Sequence, residues 1–314
     1  VFDLQMRRGN NEKREYLGQV GFNGFELGAE GPFSKNSKGS YLINYRYSTL
    51  GIFKALGIPF GAGQAVPQYQ DITFKFDLPT TKAGRFTLFG MGGLSHVDLV
   101  NSKLDTTKKS VNFYGDPLRD SYFKSNMGIV GLSHLYFFNN STYSKLVIAI
   151  SGTSNNYEQD SIRSSPQSPL REYDNYYLQQ RTTLNYSINK KFNSKNTINT
   201  GFNIDRIGFE FNDNTIQGRP YGVLKKLRDD KGAVYLHQAW VQWSHRFTDR
   251  LSLNSGLHFQ YFTLNRSTAI EPRLGARYRL TEKLALNFGA GVHNQMQPVL
   301  SYFVKTNLYD STGR

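Results

Sequence analysis

The sequence predicts an all-β protein built from antiparallel strands, and three observations predict it. Apolar and polar residues alternate with a period of two in one segment after another. Helical spacing is sustained nowhere. The connections between the alternating segments are short and long in turn. About thirteen strands fit into the chain, many of them near the ten residues that a tilted membrane-spanning strand needs.

The segments bear this out in order. In 41–48, Tyr41, Ile43, Tyr45 and Tyr47 oppose Leu42, Asn44, Arg46 and Ser48. In 71–78, Ile72, Phe74, Phe76 and Leu78 oppose Asp71, Thr73, Lys75 and Asp77. Leu184, Tyr186 and Ile188 stand against Arg181, Thr183, Asn185 and Ser187. Near the C-terminal end the chain writes almost the same nine residues twice, RFTDRLSLN at 246–254 and RLTEKLALN at 279–287. Each copy reads as a tight turn that enters a two-faced strand. After the first, Leu251, Leu253, Leu257, Phe259 and Tyr261 oppose Ser252, Asn254, Gly256, His258 and Gln260. After the second, Leu284, Leu286, Phe288, Ala290 and Val292 oppose Ala285, Asn287, Gly289, Gly291, His293 and Gln295. Between them, Leu274, Ala276, Tyr278 and Leu280 oppose Glu271, Arg273, Gly275, Arg277 and Arg279.

The connections choose the architecture. Short turns are read at GPFSKNSKG, PTTKAG, FNNSTYSK, NKKFNSKN, FTDR and LTEK, and long loops at 53–68, 100–120, 152–174 and 212–233. A soluble sandwich has no reason to collect its long loops at one end, whereas a membrane barrel puts turns on one side and loops on the other. In lipid every backbone N–H and C=O must pair within the protein, so strands cross only as a closed sheet. Such a sheet needs apolar and aromatic residues facing outward and tolerates polar residues facing inward. That explains a chain with 20 Tyr and 23 Phe among 314 residues and a mean hydropathy of only −0.52. No apolar run approaches the length of a transmembrane helix. The expected location is the cell outer membrane, with outer-membrane lipid as a partner.

Other classes are excluded or disfavoured. With no cysteine there is no disulfide framework, zinc cluster or thiol nucleophile. The formal charge is +14, but it is dispersed and no nucleic-acid-binding motif accompanies it, so no nucleic-acid partner is expected. The six histidines (His96, His134, His237, His245, His258 and His293) have no metal-ligand spacing. GAGQA at 61–65 is too short for a phosphate loop, and Asp213 in FNDNT is a single carboxylate in a predicted turn. No catalytic constellation, metal site or cofactor is expected.

Three segments carry a family resemblance: AEGPFSKNSKGSYLINYRYSTLGIF (29–53), YQDITFKFDLPTTKAGRFTLFGMGGLS (69–95), and EPRLGARYRL with LNFGAGVHNQMQPVLSYF (271–303). In combination and order they resemble the TonB-dependent receptor family, in the branch with a carboxypeptidase-like regulatory domain. The resemblance implies a barrel of roughly 22 strands around an N-terminal plug. It also implies nutrient import (siderophore, vitamin, glycan or peptide) driven through a TonB energy-coupling complex, with a surface lipoprotein as a further partner. Against that pattern the expectation here is a fragment of one barrel domain over 1–314, without the plug and short of about nine strands after Phe303. An energy-independent channel, or the structural barrel of a surface complex, is the alternative. A soluble glycan-binding or glycan-hydrolysing β-protein would need paired carboxylates, and none stand out.

One row has functional interest: Glu271, Arg273, Arg277 and Arg279 on one polar face, then His293 and Gln295 on the next strand. Cations on one wall suit an anionic solute or the carboxylates of a plug. Ordinary wall packing is the competing reading. Beyond them, 296–314 is read as the start of an external loop whose Tyr302, Phe303 and Tyr309 meet ligand.

Overall fold

The computed structural model describes residues 5–303, except 22–23, 36, 52–65, 104–115, 117, 163–168 and 218–222. Thirteen strands form one sheet. They are β1 (Glu15–Gly21), β2 (Gly24–Pro32), β3 (Ser40–Tyr47), β4 (Gln68–Pro79), β5 (Arg85–Leu99), β6 (Arg119–Asn139) and β7 (Thr142–Ser161). They continue with β8 (Leu170–Lys191), β9 (Asn196–Gln217), β10 (Val223–Arg246), β11 (Leu251–Phe262), β12 (Ser267–Arg279) and β13 (Ala285–Gly291). Each pairs antiparallel with its neighbours in chain order, from β1 to β13. No ladder joins β13 to β1 among the described residues, so the sheet keeps two free edges.

The duplicated nonapeptide is a duplicated turn. Thr248 Oγ1 accepts the N–H groups of Arg250 and Leu251, and Phe247 N–H donates to Leu251 O at 3.0 Å. Thr281 Oγ1 likewise accepts Lys283 and Leu284, and Leu280 N–H donates to Leu284 O at 2.9 Å. Gly84, at φ 80°, closes the turn before β5; an added Cβ would press on the Leu135 carbonyl and, at 3.2 Å, on Tyr136.

Register carries the two-faced pattern across the whole sheet. On one face Ile43 stands opposite Phe74, Leu88 opposite Phe76 and Leu132, and Ile148 opposite Leu132 and Leu184. Phe202 lies across from Tyr186, and Leu274 across from Ala290. These side chains are largely exposed: Ile43, Leu132, Ile148, Ile150, Leu274, Leu286 and Phe288 are all open to the surroundings. An apolar row without cover costs free energy in water and none in hydrocarbon. Aromatic contacts border the band. Near the short turns these include Phe86–His134, Tyr136–Phe138 and Trp243–His245–Phe247; near the opposite end, Phe25–Tyr47 and Tyr235–His237–Tyr261. Three of the histidines are thus members of the aromatic borders.

The other face, called inner below, is polar over most of its area. Two chain segments lie on it. Residues 5–10 are held by the Arg7–Glu30 ion pair, by Asn10 N–H on Glu30 (2.8 Å) and by Lys75 Nζ on the Met6 carbonyl (2.6 Å). Residues 292–303 cross back over β12 and β11, ending in a 3-10 turn, Val299–Phe303, set on β9 and β10.

Strand length corrects the sequence reading. β6 to β10 run for 20 to 24 residues, so the loops expected at 152–174 and 212–233 are mostly strand. Ten residues suffice to cross the bilayer at a tilt; the remaining half of each strand extends past the apolar band. There both faces are polar, as in TSNNYEQDS at 153–161, which erases the alternation but leaves the backbone ladder intact. FNDNT is also strand, within β9. GAGQA and most of the loops expected at 53–68 and 100–120 lie outside the described residues.

Candidate functional site

The inner face of β9–β13 gathers the polar residues singled out in the sequence. Because successive residues alternate sides, Glu271, Arg273, Arg277 and Arg279 form one row on β12. The ladders set His258 opposite Glu271, Gly256 and Gly291 beside Arg273, and Ser252 and Asn287 beside Arg277.

Glu271 is the pivot of the upper half. Its side chain is 1% exposed. Oε2 accepts Arg273 Nη2 at 2.5 Å, and Oε1 accepts the Asn294 backbone N–H at 2.8 Å. His258 Nδ1 stands 3.1 Å from Oε2 but off line for a hydrogen bond. A buried carboxylate is tolerated only when paired and hydrogen-bonded, and here the partners come from two strands and from the segment crossing them. Arg273 is therefore compensated within the wall.

Below that pair the wall is thin. Gly275 faces Gly289 across the ladder, and an added Cβ at Gly289 would meet nothing within 4 Å. A groove of ≈ 960 Å³ lies over these glycines, bordered by Trp240, Gln242, His258, Arg273 and His293. The Trp240 indole leans across Gly201, where an added Cβ would meet Cζ2 at 2.6 Å, and its Nε1–H donates to Asn199 Oδ1 at 2.8 Å.

Arg277 and Arg279 lie apart from that groove, beside a second concavity of ≈ 410 Å³ at the short-turn end. The expected row is thus two sites: Glu271 with Arg273, and Arg277 with Arg279. His293 borders the glycine groove. Gln295 sits farther along, in a small recess with Gln260, Ser267 and Tyr302.

The segment expected to open an external loop instead turns inward. Val299 is buried against Ile207, Phe209, Phe211, Val234, Leu236 and Phe262, with Met296, Leu300 and Phe303 packed beside it. The Phe303 ring lies 4.6 Å from that of Phe209, and Tyr302 5.4 Å from Phe262. Phe303 is consequently a packing residue, while Tyr302 keeps an exposed ring. Tyr309 lies outside the described residues. The cause is an apolar patch on an otherwise polar face, which the chain covers with its own Val299 and Phe303.

The wall is completed by Asp213, which the sequence places in a turn and the structure places within β9, and by residues that the sequence does not single out. Asp213 accepts the hydroxyls of Tyr173 (3.0 Å) and Tyr177 (2.5 Å) and faces Arg228 at 3.5 Å. Asp205 accepts Thr183 Oγ1 at 2.6 Å and Asn203 Nδ2 at 3.0 Å. Period-two alternation puts all of them on the inner face, but pairing across strands is invisible without register.

No family model matches the chain, and no curated protein matches it. Solved structures do. The ferric enterobactin receptor PfeA of Pseudomonas aeruginosa (a mutant) aligns over 90% of this chain and 44% of its own, at 15% identity and a TM-score of 0.54. The siderophore receptor PiuA of Acinetobacter baumannii aligns over 86% and 47%, at 11% identity and 0.57. The ferric-catecholate import receptor Fiu of E. coli K12 aligns over 90% and 53%, at 11% identity and 0.51. The chain spans about half the length of these structures. At such identities the likeness is one of fold: this sheet has the strand arrangement of large receptor barrels, as the resemblance in the sequence implied.

Proposed function

We propose that the chain is the wall of an outer-membrane TonB-dependent receptor that imports a nutrient. The observation that carries this reading is the sheet's two faces: an uncovered apolar band with aromatic borders on one, and paired charges on the other. The first suits hydrocarbon and the second an enclosed wet interior. The receptor fold of the structural neighbours supports it. Further strands complete the wall at the free edges of β1 and β13, since unpaired edges are not viable in lipid. A plug fills the interior and meets the inner row, and an energy-coupling complex acts on it. Solute arrives at the end where β6–β10 project beyond the membrane, with Tyr302 exposed at that mouth. The substrate class is a nutrient complex of the siderophore, vitamin, glycan or peptide kind, and the work is binding and passage, not covalent chemistry.

Uptake by cells that carry the complete gene product tests this. Import that stops when the proton-motive force is collapsed supports the reading. Passage that persists without it identifies an energy-independent channel and removes the import proposal.

A further inference from the structure

The inner wall compensates its arginines one by one, except for a group of four. Arg46 pairs with Asp71 at 2.8 Å, Arg85 with Asp77 at 3.7 Å, Arg181 with Asp205 at 3.9 Å, Arg228 with Asp213 at 3.5 Å and Arg273 with Glu271 at 2.5 Å. At the short-turn end of β10–β12, Arg246, Arg250, Arg277 and Arg279 surround one polar concavity of ≈ 410 Å³. All four are exposed. Among the described residues none of their guanidinium groups reaches a carboxylate or any other hydrogen-bond partner. Asp249, in the turn itself, borders the same space without pairing to any of them.

The ladders fix their spacing. Arg246 is level with Ser252, and Ser252 with Arg277; Arg250 and Arg279 follow at the turn. Strands stand about 4.8 Å apart and alternate residues about 6.8 Å along the strand. Along the backbone Arg246 and Arg277 therefore stand about 10 Å apart across β11, Arg279 about 7 Å farther along β12, and Arg250 about 5 Å from Arg279. Like charges gathered at one place repel, weakly in water and more strongly where water is excluded. A wall that pairs its other inward arginines and leaves these four together is complementary to something anionic that is not part of the wall.

We infer that this four-arginine pad is the docking surface for an acidic polypeptide segment, one with two or more Asp or Glu residues, seated inside the barrel at its short-turn end. The inference rests on the proposed reading of this face as an enclosed interior and deepens it by naming the contact. The pad lies at the end opposite the strand extensions, away from where solute arrives. Four cations around one concavity offer more charge and more N–H donors than one small anion takes up, whereas carboxylates along a peptide reach each in turn.

Ser252, small and central to the pad, is the place for a probe. A photo-crosslinking benzophenone residue at position 252 in the complete gene product, illuminated in intact outer membranes, should join to a peptide. Mass spectrometry should find at least two acidic residues in the joined peptide. Combining R246Q, R250Q, R277Q and R279Q should lower the yield at least tenfold, and Arg→Lys at the same four positions should retain most of it. Gel mobility before and after heating confirms in each variant that the barrel is assembled. A crosslink to a neutral segment, a yield indifferent to the four substitutions, or no peptide adduct from an assembled barrel overturns the inference. Protection of the site by inorganic tripolyphosphate in the absence of any peptide adduct assigns the pad to a free anion instead. Loss of uptake with the crosslink intact would count against import, not against the pad.

Discussion

Glu271 shows how one residue ties three parts of the chain together. It takes a guanidinium from its own strand, lies beside an imidazole on β11, and accepts a backbone N–H from the crossing segment. Glu271→Gln keeps an acceptor for Asn294 but removes the charge that balances Arg273. The expected cost is about 1–3 kcal/mol, the range for leaving a buried polar partner unsatisfied. Replacing both members, in Glu271→Gln with Arg273→Met, should recover part of that loss, because no unpaired charge remains. Urea unfolding of the assembled barrel measures both; a double variant no better than the single one would show that the pair is not the source. The row itself was legible, because alternation puts Glu271, Arg273, Arg277 and Arg279 on one face. Its division into a compensated pair and an uncompensated pad was not. That division depends on His258 and Asn294 above, and on Arg246 and Arg250 below, reached only through register and a turn.

At the scale of elements, the crossing segment 292–303 is the part whose behaviour departs most from its sequence. Its residues are apolar at Val299, Leu300 and Phe303, and by sequence it reads as an external loop. What draws it inward is the patch of Ile207, Phe209 and Phe211 on β9, some ninety residues earlier in the chain and on the face that is polar elsewhere. Burying a Val or Phe side chain contributes about 1.5–3 kcal/mol, enough to hold a short 3-10 turn in place. Val299→Asp puts a charge into that cluster and should free the segment without dismantling the sheet. Limited proteolysis should then cut between 292 and 303 at least tenfold faster while heat-dependent gel mobility is unchanged. Equal rates for the two proteins would mean that the cluster does not hold it. The same scale explains the misjudged strand lengths. Alternation records where one face is apolar and the other polar, and β7 from 153 to 161 is polar on both, so its pairing to β6 and β8 leaves no trace in hydropathy.

For the whole molecule, everything depends on which face is outside, and neighbouring residues on one strand can decide it. Ile148 sits mid-band on β7, flanked across the ladders by Leu132 and Leu184; Val147 points the other way, between Ser133 and Asn185. If the apolar face meets hydrocarbon, Ile148→Lys places an ammonium near the bilayer midplane, at a cost of about 2–4 kcal/mol. Val147→Lys adds a charge to a wet interior that already carries many, and should cost little. The two variants differ by one position and carry the same new side chain, so propensity and expression affect them alike. Assembled barrel, scored by heat-dependent gel mobility from outer membranes, should fall sharply for Ile148→Lys and stay near the parent for Val147→Lys. The reverse order would mean that the apolar rows pack on one another in a dry centre while the charged rows face solvent. In that case the receptor wall, the plug and the arginine pad would all lose their basis, since each takes the charged face to be enclosed.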